Sequence, residues 1–289
     1  MSGPFRWNLA KLEQLGRMVE RSESPPEAAF VTEIQQACVR ILGQAGDADL
    51  VFIGRSPANL FDYLSGILAD TSWATRCTLI NVSLRADSIA AIRHAYPTAL
   101  PAIYAHLTAA GLAPAQICRR SAPIALVDLV DTGTTFGLLL DLWRDWAVRE
   151  GCDPAALVRR LRLVGITIQQ PTSPKTWRWH QHAPWTRQLR PSAIKNVSLP
   201  GHLWRELGNS QPKHERWNPP WRWGDALMAE PPRDQTSIDA LWLALQLYTL
   251  GSSRLHRQEF ARRLVHERAM REAWCRTLAQ ELRGMRPRG

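Results

Sequence analysis

The sequence predicts an α/β protein in which helices cover both faces of a parallel β-sheet. Short apolar runs, typical of buried strands, alternate along the chain with longer stretches that carry apolar residues at helical spacing. Strands separated by helices favour parallel neighbours, because a parallel connection needs a crossover. The predicted strands are 49–53, 77–82, 124–130 and 160–168, with a further strand at 193–199.

Helices are predicted on either side of these strands. Pro57 suits the first position of a helix, and Thr236 or Ser237 is expected to cap another. The predicted helices are 5–20, 27–42, 57–68, pieces of 83–111 interrupted by Pro97 and Pro101, one that begins near Thr135, one that runs from 236 to 251–253, and a last one at 257–283.

Changes in composition divide the chain into four predicted segments. These are N-terminal helices at 1–48, an α/β core at 49–168, a segment rich in tryptophan and proline at 169–235, and C-terminal helices at 236–289. The aromatic side chains of 169–235 lack the regular apolar period of a self-contained core. We therefore expect this segment to pack on the sheet.

The net charge of +10 is distributed unevenly. Ten arginines and four glutamates lie between 251 and 289, a pattern that fits either nucleic-acid binding or the solvated face of a packed helix. The five cysteines are scattered, which predicts reduced thiols. No stretch has the length and hydropathy of a membrane span, so the sequence predicts a soluble, cytoplasmic protein.

The loop after the third predicted strand has the composition of a phosphate site. It consists of Asp131, Thr132, Gly133, Thr134 and Thr135. Threonine hydroxyls can donate to phosphate oxygens, glycine lets successive backbone N–H groups point at one spot, and a helix N-terminus favours an anion. The aspartates that precede the loop, Asp128 and Asp131, could hold sugar hydroxyls or a metal ion. A plain strand-turn-helix connection is the alternative.

A second loop of this kind follows the first predicted strand. Gly54, Arg55 and Ser56 end the apolar run, and a helix begins at Pro57. Arginine offers a planar fork to phosphate oxygens, and glycine permits the backbone turn that such a loop requires. The alternative is a simple turn with a solvated arginine. Because ligands bind at the carboxyl ends of parallel strands, both loops lie where a site is expected.

These residues resemble the motif with which type I phosphoribosyltransferases bind phosphoribosyl pyrophosphate (PRPP). The family pattern is an apolar strand, two acids, two apolar residues and then Asp-Thr-Gly-x-Thr. Asp131 to Thr135 match the loop, Asp128 falls on the second acid, and Val127 falls on the first, so that acid is missing. The resemblance covers residues 49–168.

The resemblance implies transfer of the 5-phosphoribosyl group of PRPP to a small or nucleobase-like acceptor, with release of pyrophosphate. It implies that the 131–135 loop binds the 5′-phosphate and that Gly54, Arg55 and Ser56 bind pyrophosphate. It also implies that Asp128 binds ribose or Mg²⁺, which enters with PRPP. Asp128, Asp131 and Arg85 are the catalytic candidates, and 169–235 is the candidate hood over the acceptor.

Several alternatives remain open at the level of sequence. Asp131 could brace its loop instead of accepting a proton, and Arg85 could be a surface residue beside a capping Asp87. The loss of the acid at Val127 favours a PRPP- or nucleotide-sensing protein without turnover. A nucleic-acid-associated protein, which binds through its basic C-terminal region and its Trp/Arg-rich segment, is a third hypothesis. The sequence also leaves a homodimer open.

Overall fold

A parallel β-sheet of five strands, in the order β2-β1-β3-β4-β5, runs through the computed structural model, which describes residues 3–16 and 25–284. Every neighbouring pair is parallel, which confirms the predicted α/β class. The strands are β1 (Asp49–Ile53), β2 (Cys77–Ile80), β3 (Ile124–Leu129), β4 (Leu161–Ile168) and β5 (Ile194–Leu199). Apolar runs bounded by polar turns are strong local signals, and the strands begin close to their predicted starts.

Helices connect and flank the strands. They are α1 (Leu12–Leu15), α2 (Ala28–Ala45), α3 (Ala58–Leu68), α4 (Ile89–Ala95), α5 (Ala99–Ala109), α6 (Pro114–Arg119), α7 (Thr134–Arg149), α8 (Pro154–Arg159), α9 (Gly201–Arg205), α10 (Gln235–Ser252), α11 (Arg254–Leu264) and α12 (Ala273–Leu282). Within 3–16 and 25–284, no helix combines the length and hydropathy that crossing a membrane requires.

The sheet has an apolar core on each face. Leu50, Phe52 and Val127 belong to a cluster with α2, α3 and α10 to α12. Val51 and Leu126 belong to a second cluster with α4 to α8. Successive side chains of a strand point to opposite faces, so buried strands that are apolar at consecutive positions require helices on both. The structure has this arrangement, as the sequence predicts.

The winding direction of the sheet reverses between β1 and β3. From β1 the chain passes through α3 to β2 on one side, and from β2 it returns through α4 to α6 to β3 on the other side of β1. The connections after β1 and β3 therefore lead to opposite faces and leave a crevice between the carboxyl ends of these strands. Open α/β sheets bind ligands at such a point.

The tryptophan-rich segment is anchored on the sheet by a buried ring. Trp179 is fully buried, and its ring centroid lies 5.7 Å from those of Phe136 and Trp185. Its Nε1 donates a hydrogen bond of 2.9 Å to Asn196 Oδ1 on β5, which pairs with β4. A large ring with a satisfied N–H can thus order a segment that has little regular structure.

The N-terminal helix is shorter than the sequence predicts. Among the described residues it spans only α1, and the N–H of Phe5 donates to the carbonyl of Met228 at 2.7 Å. Trp7 and Leu9 are buried in a small cluster with α10, so packing against α10 replaces helix formation at 5–9. The predicted continuation at 17–20 lies outside the described residues.

The prediction of a single helix at 257–283 is also wrong. The chain forms α11 and α12, which are separated by a 3₁₀ turn at Arg268–Arg271. Leu264 of α11 and Leu278 of α12 enter the same apolar cluster. One straight helix of this length would carry its second half away from that cluster, so the turn is a consequence of core packing.

Two predicted helix caps lie elsewhere. Asp234, instead of Thr236 or Ser237, caps α10, since its Oδ1 accepts a first-turn N–H at 3.0 Å. Ser88, instead of Asp87, caps α4, with its Oγ 3.0 Å from a first-turn nitrogen. Each oxygen reaches an N–H three residues further along, which is the geometry of an N-cap.

We expect Trp179→Ala to lower the free energy of unfolding by about 3–5 kcal/mol, because it removes a fully buried ring and leaves a cavity. Urea denaturation followed by circular dichroism measures this change. Trp221→Ala is the matched control, since that ring is 47% exposed and its loss should change the free energy by about 0.5 kcal/mol or less. Equal values for the two variants would contradict the role of Trp179 in the core.

Candidate functional site

A cleft of about 250 Å³ opens at the carboxyl ends of β1 and β3, where the winding reverses. The connections after β1, β2 and β3 line it, and residues 208–217 form its outer wall. The predicted site residues that it brings together are Gly54, Arg55, Ser56, Arg85, Asp128 and Thr135. Candidates chosen from three separate loops thus share one cavity.

The rest of the threonine loop lies beside this cleft. Asp131, Thr132 and Thr134 are exposed, and the hydroxyl oxygens of the two threonines lie 2.8 Å apart. The backbone carbonyl of Asp131 accepts a hydrogen bond of 2.7 Å from Trp177 Nε1. The loop therefore offers hydroxyls to solvent at the start of α7, a helix of sixteen residues. The site has two parts: the cleft and this loop.

Gly133 determines the shape of the loop. It is the N-cap of α7 and has a φ of 81°, a conformation that a residue with a side chain rarely adopts. A methyl group at Gly133 would also overlap the ring of Trp179, and one at Gly165 would meet the same ring. The loop and the tryptophan-rich segment are thus fitted to each other.

Asp128 is the carboxyl group of the cleft. It is only 7% exposed, and burial raises its pKa well above the usual value, although bonds from the Leu129 N–H and the Thr135 hydroxyl oppose that shift. The preceding Val127 is fully buried in the cluster that includes α2 and α3. The position of the family's first acid is therefore occupied by a side chain of the apolar core.

Lys213 is a cleft residue that the sequence analysis missed. Its Nζ donates a hydrogen bond of 2.6 Å to the carbonyl of Leu207. Burial, with a smaller contribution from the positive charge of Arg55, lowers the pKa of Lys213 to about 8. A single lysine in an irregular segment carries no local sequence signal, because only the fold brings it to the ends of β1 and β3.

Three cationic side chains line the cleft. Arg55 Nη1 donates to the carbonyl of Glu215 at 3.2 Å, and burial, with a contribution from Arg85, lowers its pKa. The guanidinium of Arg85 lies 5.5 Å from the ring centroid of Trp217. Among the described residues, Arg55, Arg85 and Lys213 form no ion pair with a carboxylate. The cleft is therefore suited to a multiply charged anion.

Amide side chains hold the outer wall of the cleft. Asn81 Nδ2 donates to the carbonyl of Arg216 at 2.9 Å, and Asn218 Nδ2 donates to the carbonyl of Asn81 at 2.7 Å. The N–H of Ser83 donates to the carbonyl of Asn218 at 2.9 Å. Since these bonds join the connection after β2 to residues 216–218, Lys213 and Trp217 are held at the cleft by fixed backbone.

A buried ionic cluster supports the same wall from behind. The Arg6 guanidinium forms ion pairs with the carboxylates of Asp62 and Glu215, and His214 Nε2 lies 3.5 Å from Asp62 Oδ2. Burial alone would raise the pKa of Asp62, but Arg6 and His214 more than offset it and lower that pKa. The N-terminal segment and α3 thereby contact His214 and Glu215, the two residues that directly follow Lys213.

The described residues contain no group of three His, Cys, Asp or Glu side chains that could hold a metal ion, and Asp128 is the only carboxylate among them that lines the cleft. Mg²⁺ commonly takes one or two protein carboxylates together with substrate phosphates. In the described part of the chain, Asp128 is thus the one carboxyl group of the cleft that could contribute to a site of this kind.

No family model, curated protein or solved structure matches this chain. The site combines one buried carboxyl group, three cations that form no ion pair with a carboxylate among the described residues, and a loop rich in hydroxyls, at the reversal point of a parallel sheet. That set favours a ligand with a sugar and separate phosphate groups.

We expect the affinity of the cleft for inorganic pyrophosphate to depend on the charge of Lys213. Lys213 is cationic below its pKa of about 8 and loses its charge above it, so its contribution disappears as the pH rises through that value. In Lys213→Arg the charge persists. Calorimetry between about pH 7 and 9 should show that the ratio of the wild-type affinity to the variant affinity falls by up to about tenfold, which corresponds to about 1.4 kcal/mol for one pH unit above the pKa. Parallel pH profiles for the two proteins would contradict this role.

Proposed function

We propose that the cleft and the adjacent loop bind PRPP and that the protein transfers its 5-phosphoribosyl group to an acceptor, within a fold of the type I phosphoribosyltransferase kind. The observation that carries the proposal is the convergence of the 54–56 loop, Asp128 and Thr135 in one cleft. Arg55 of that loop, Arg85 and Lys213 form no ion pair with a carboxylate in the described part of the chain. PRPP has a diphosphate, a ribose and a separate phosphate, and each finds matching groups here.

In this proposal the ligand lies across the crevice. The diphosphate contacts Arg55, Lys213 and Arg85, whose charges it neutralises. The ribose hydroxyls lie against Asp128, and the 5′-phosphate binds the 131–135 loop at the N-terminus of α7. The two anion sites would thus orient the sugar from both ends, so that binding energy is used for positioning.

The proposed reaction breaks the bond between ribose C1 and the diphosphate oxygen and joins C1 to a nitrogen or oxygen of the acceptor. The three cations take up the charge that the leaving pyrophosphate gains. Mg²⁺, when it enters with PRPP, supplies further charge neutralisation at the diphosphate. Asp131, whose carboxylate forms no ion pair among the described residues, accepts the proton that a nucleobase-like acceptor loses.

A second candidate function is a PRPP sensor that binds the ligand without turning it over. The observation that favours it is the burial of Val127 in the apolar core, which leaves Asp128 as the one carboxylate for ribose in the described cleft. We favour the enzyme, because the two oxygens of the Asp128 carboxyl group can form hydrogen bonds with both ribose hydroxyls. Release of pyrophosphate separates the two functions.

We expect Thr135→Ala to weaken the binding of PRPP with Mg²⁺ by about 1–3 kcal/mol, since a hydroxyl in the cleft is lost. Isothermal titration calorimetry measures the affinity. Thr108→Ala, which removes an exposed hydroxyl on α5, is the matched control and should bind as the wild type does. Wild-type affinity in Thr135→Ala would remove Thr135 from the site.

We expect Asp128→Asn to lower the rate of pyrophosphate release from PRPP by about 10²- to 10³-fold, the range for loss of one preorganised polar group. The rate is measured with a panel of nucleobases and with cell extract as the source of acceptor. The free energy of unfolding, measured in parallel, should not fall, because Asn keeps the shape of a carboxyl group that burial already disfavours as an anion. Tight PRPP binding without release under any acceptor would instead support the sensor.

A further inference from the structure

Three aromatic side chains lie next to one another beside the mouth of the cleft, with interplanar angles of 85° between Trp217 and Trp221 and 50° between Trp221 and Tyr96. The ring centroids of Trp217 and Trp221 lie 5.2 Å apart, and those of Trp221 and Tyr96 lie 6.2 Å apart. Trp217 lines the cleft, whereas Trp221 and Tyr96 extend away from it, with 47% and 36% of their surface exposed. We call these three residues the aromatic platform.

The exposed ring of the platform is held rigidly. Trp221 lies in a 3₁₀ turn, Pro220–Arg222; Pro220, which precedes Trp221, and Trp223, which follows the turn, are both buried. Trp223 Nε1 donates to the carbonyl of Asn218 at 3.1 Å, which ties the turn to the wall of the cleft. A preorganised aromatic face loses little conformational entropy when a flat ring stacks on it.

The charge around the platform is positive. Residues 213–223 carry Lys213, Arg216 and Arg222 against one acid, Glu215, which is buried beside Arg6. Arg85 lies over the ring of Trp217, 5.5 Å from its centroid. Aromatic faces interleaved with cations are the combination by which proteins bind single strands of nucleic acid, since bases stack while phosphates pair with the cations.

We infer that the aromatic platform binds single-stranded nucleic acid, with bases stacked on Trp221 and Tyr96 and phosphates beside Arg222 and Arg85. This inference does not rest on the proposed function, because Trp221, Tyr96 and Arg222 lie outside the lining of the cleft, although Arg85 and Trp217 are shared with it. It also differs from binding by the arginine-rich helices α11 and α12, whose one tryptophan, Trp274, packs on Trp73.

The test is fluorescence anisotropy of a labelled oligothymidylate of about 12 nucleotides, a length within the span of one such site. We expect the wild type to bind it, and Trp221→Ala to bind it about 5- to 150-fold more weakly, the range for loss of one stacked base. Trp221→Phe, which keeps a stacking face, should retain most of the affinity. Arg222→Gln should reduce the slope of log affinity against log salt by about 0.7, the value for one phosphate contact.

Leu255→Ala is the control for loss of an exposed apolar side chain, since Leu255 is 67% exposed on α11. It should bind like the wild type. Absence of binding, or binding that Trp221→Ala leaves unchanged, would overturn the inference and, in the second case, favour the C-terminal helices. Self-association that depends on Trp221, seen by sedimentation velocity without oligonucleotide binding, would overturn it too and assign the platform to a second copy of the chain.

Discussion

The reversal of winding between β1 and β3 is the constraint on which the site depends. Right-handed crossovers that leave β1 and β3 in different directions must lie on opposite faces of the sheet. The carboxyl ends of the two strands then face a crevice, and the connections after them supply the 54–56 loop, Asp128 and the 131–135 loop. Residues that are about 75 positions apart in sequence meet because of this topology alone.

The crevice becomes a cleft only because an irregular segment is held over it. Residues 208–217 contribute Lys213 and Trp217, yet they lie outside the sheet and their helical turns are short. Asn81 and Asn218 tie this wall to the connection after β2, while Arg6 pairs with Glu215 behind it. A buried ion network is weak as a source of stability, but it specifies one arrangement, since any other would leave charges unpaired. Through Arg6, the N-terminal segment is thus paired with Glu215, two residues after Lys213.

The ring of Trp179 packs closely against Gly133 of the threonine loop. The ring of Trp179 fills the space that side chains at Gly133 and Gly165 would otherwise occupy, and its N–H is satisfied by Asn196. The sequence accounts for Gly133 by the turn that a phosphate loop requires, and its positive φ agrees. The structure adds a second reason, because the close approach of an indole ring excludes any larger residue. The shape of the loop and the position of the tryptophan-rich segment are thus coupled.

Local pattern by itself determined the strands, the parallel α/β class and the loops after β1 and β3, because apolar runs and glycine turns are encoded in consecutive residues. The sequence also singled out Asp128, near the end of β3, and Thr135, in the first turn of α7, and the structure shows that both line the cleft. Only the tertiary structure placed Lys213 in the cleft, paired Arg6 with Glu215 and divided the last helix, since these features join residues far apart in the chain. It likewise showed that Val127 is a core side chain. Contacts over such separations leave no periodic or spacing signal, so packing of the complete fold decided them.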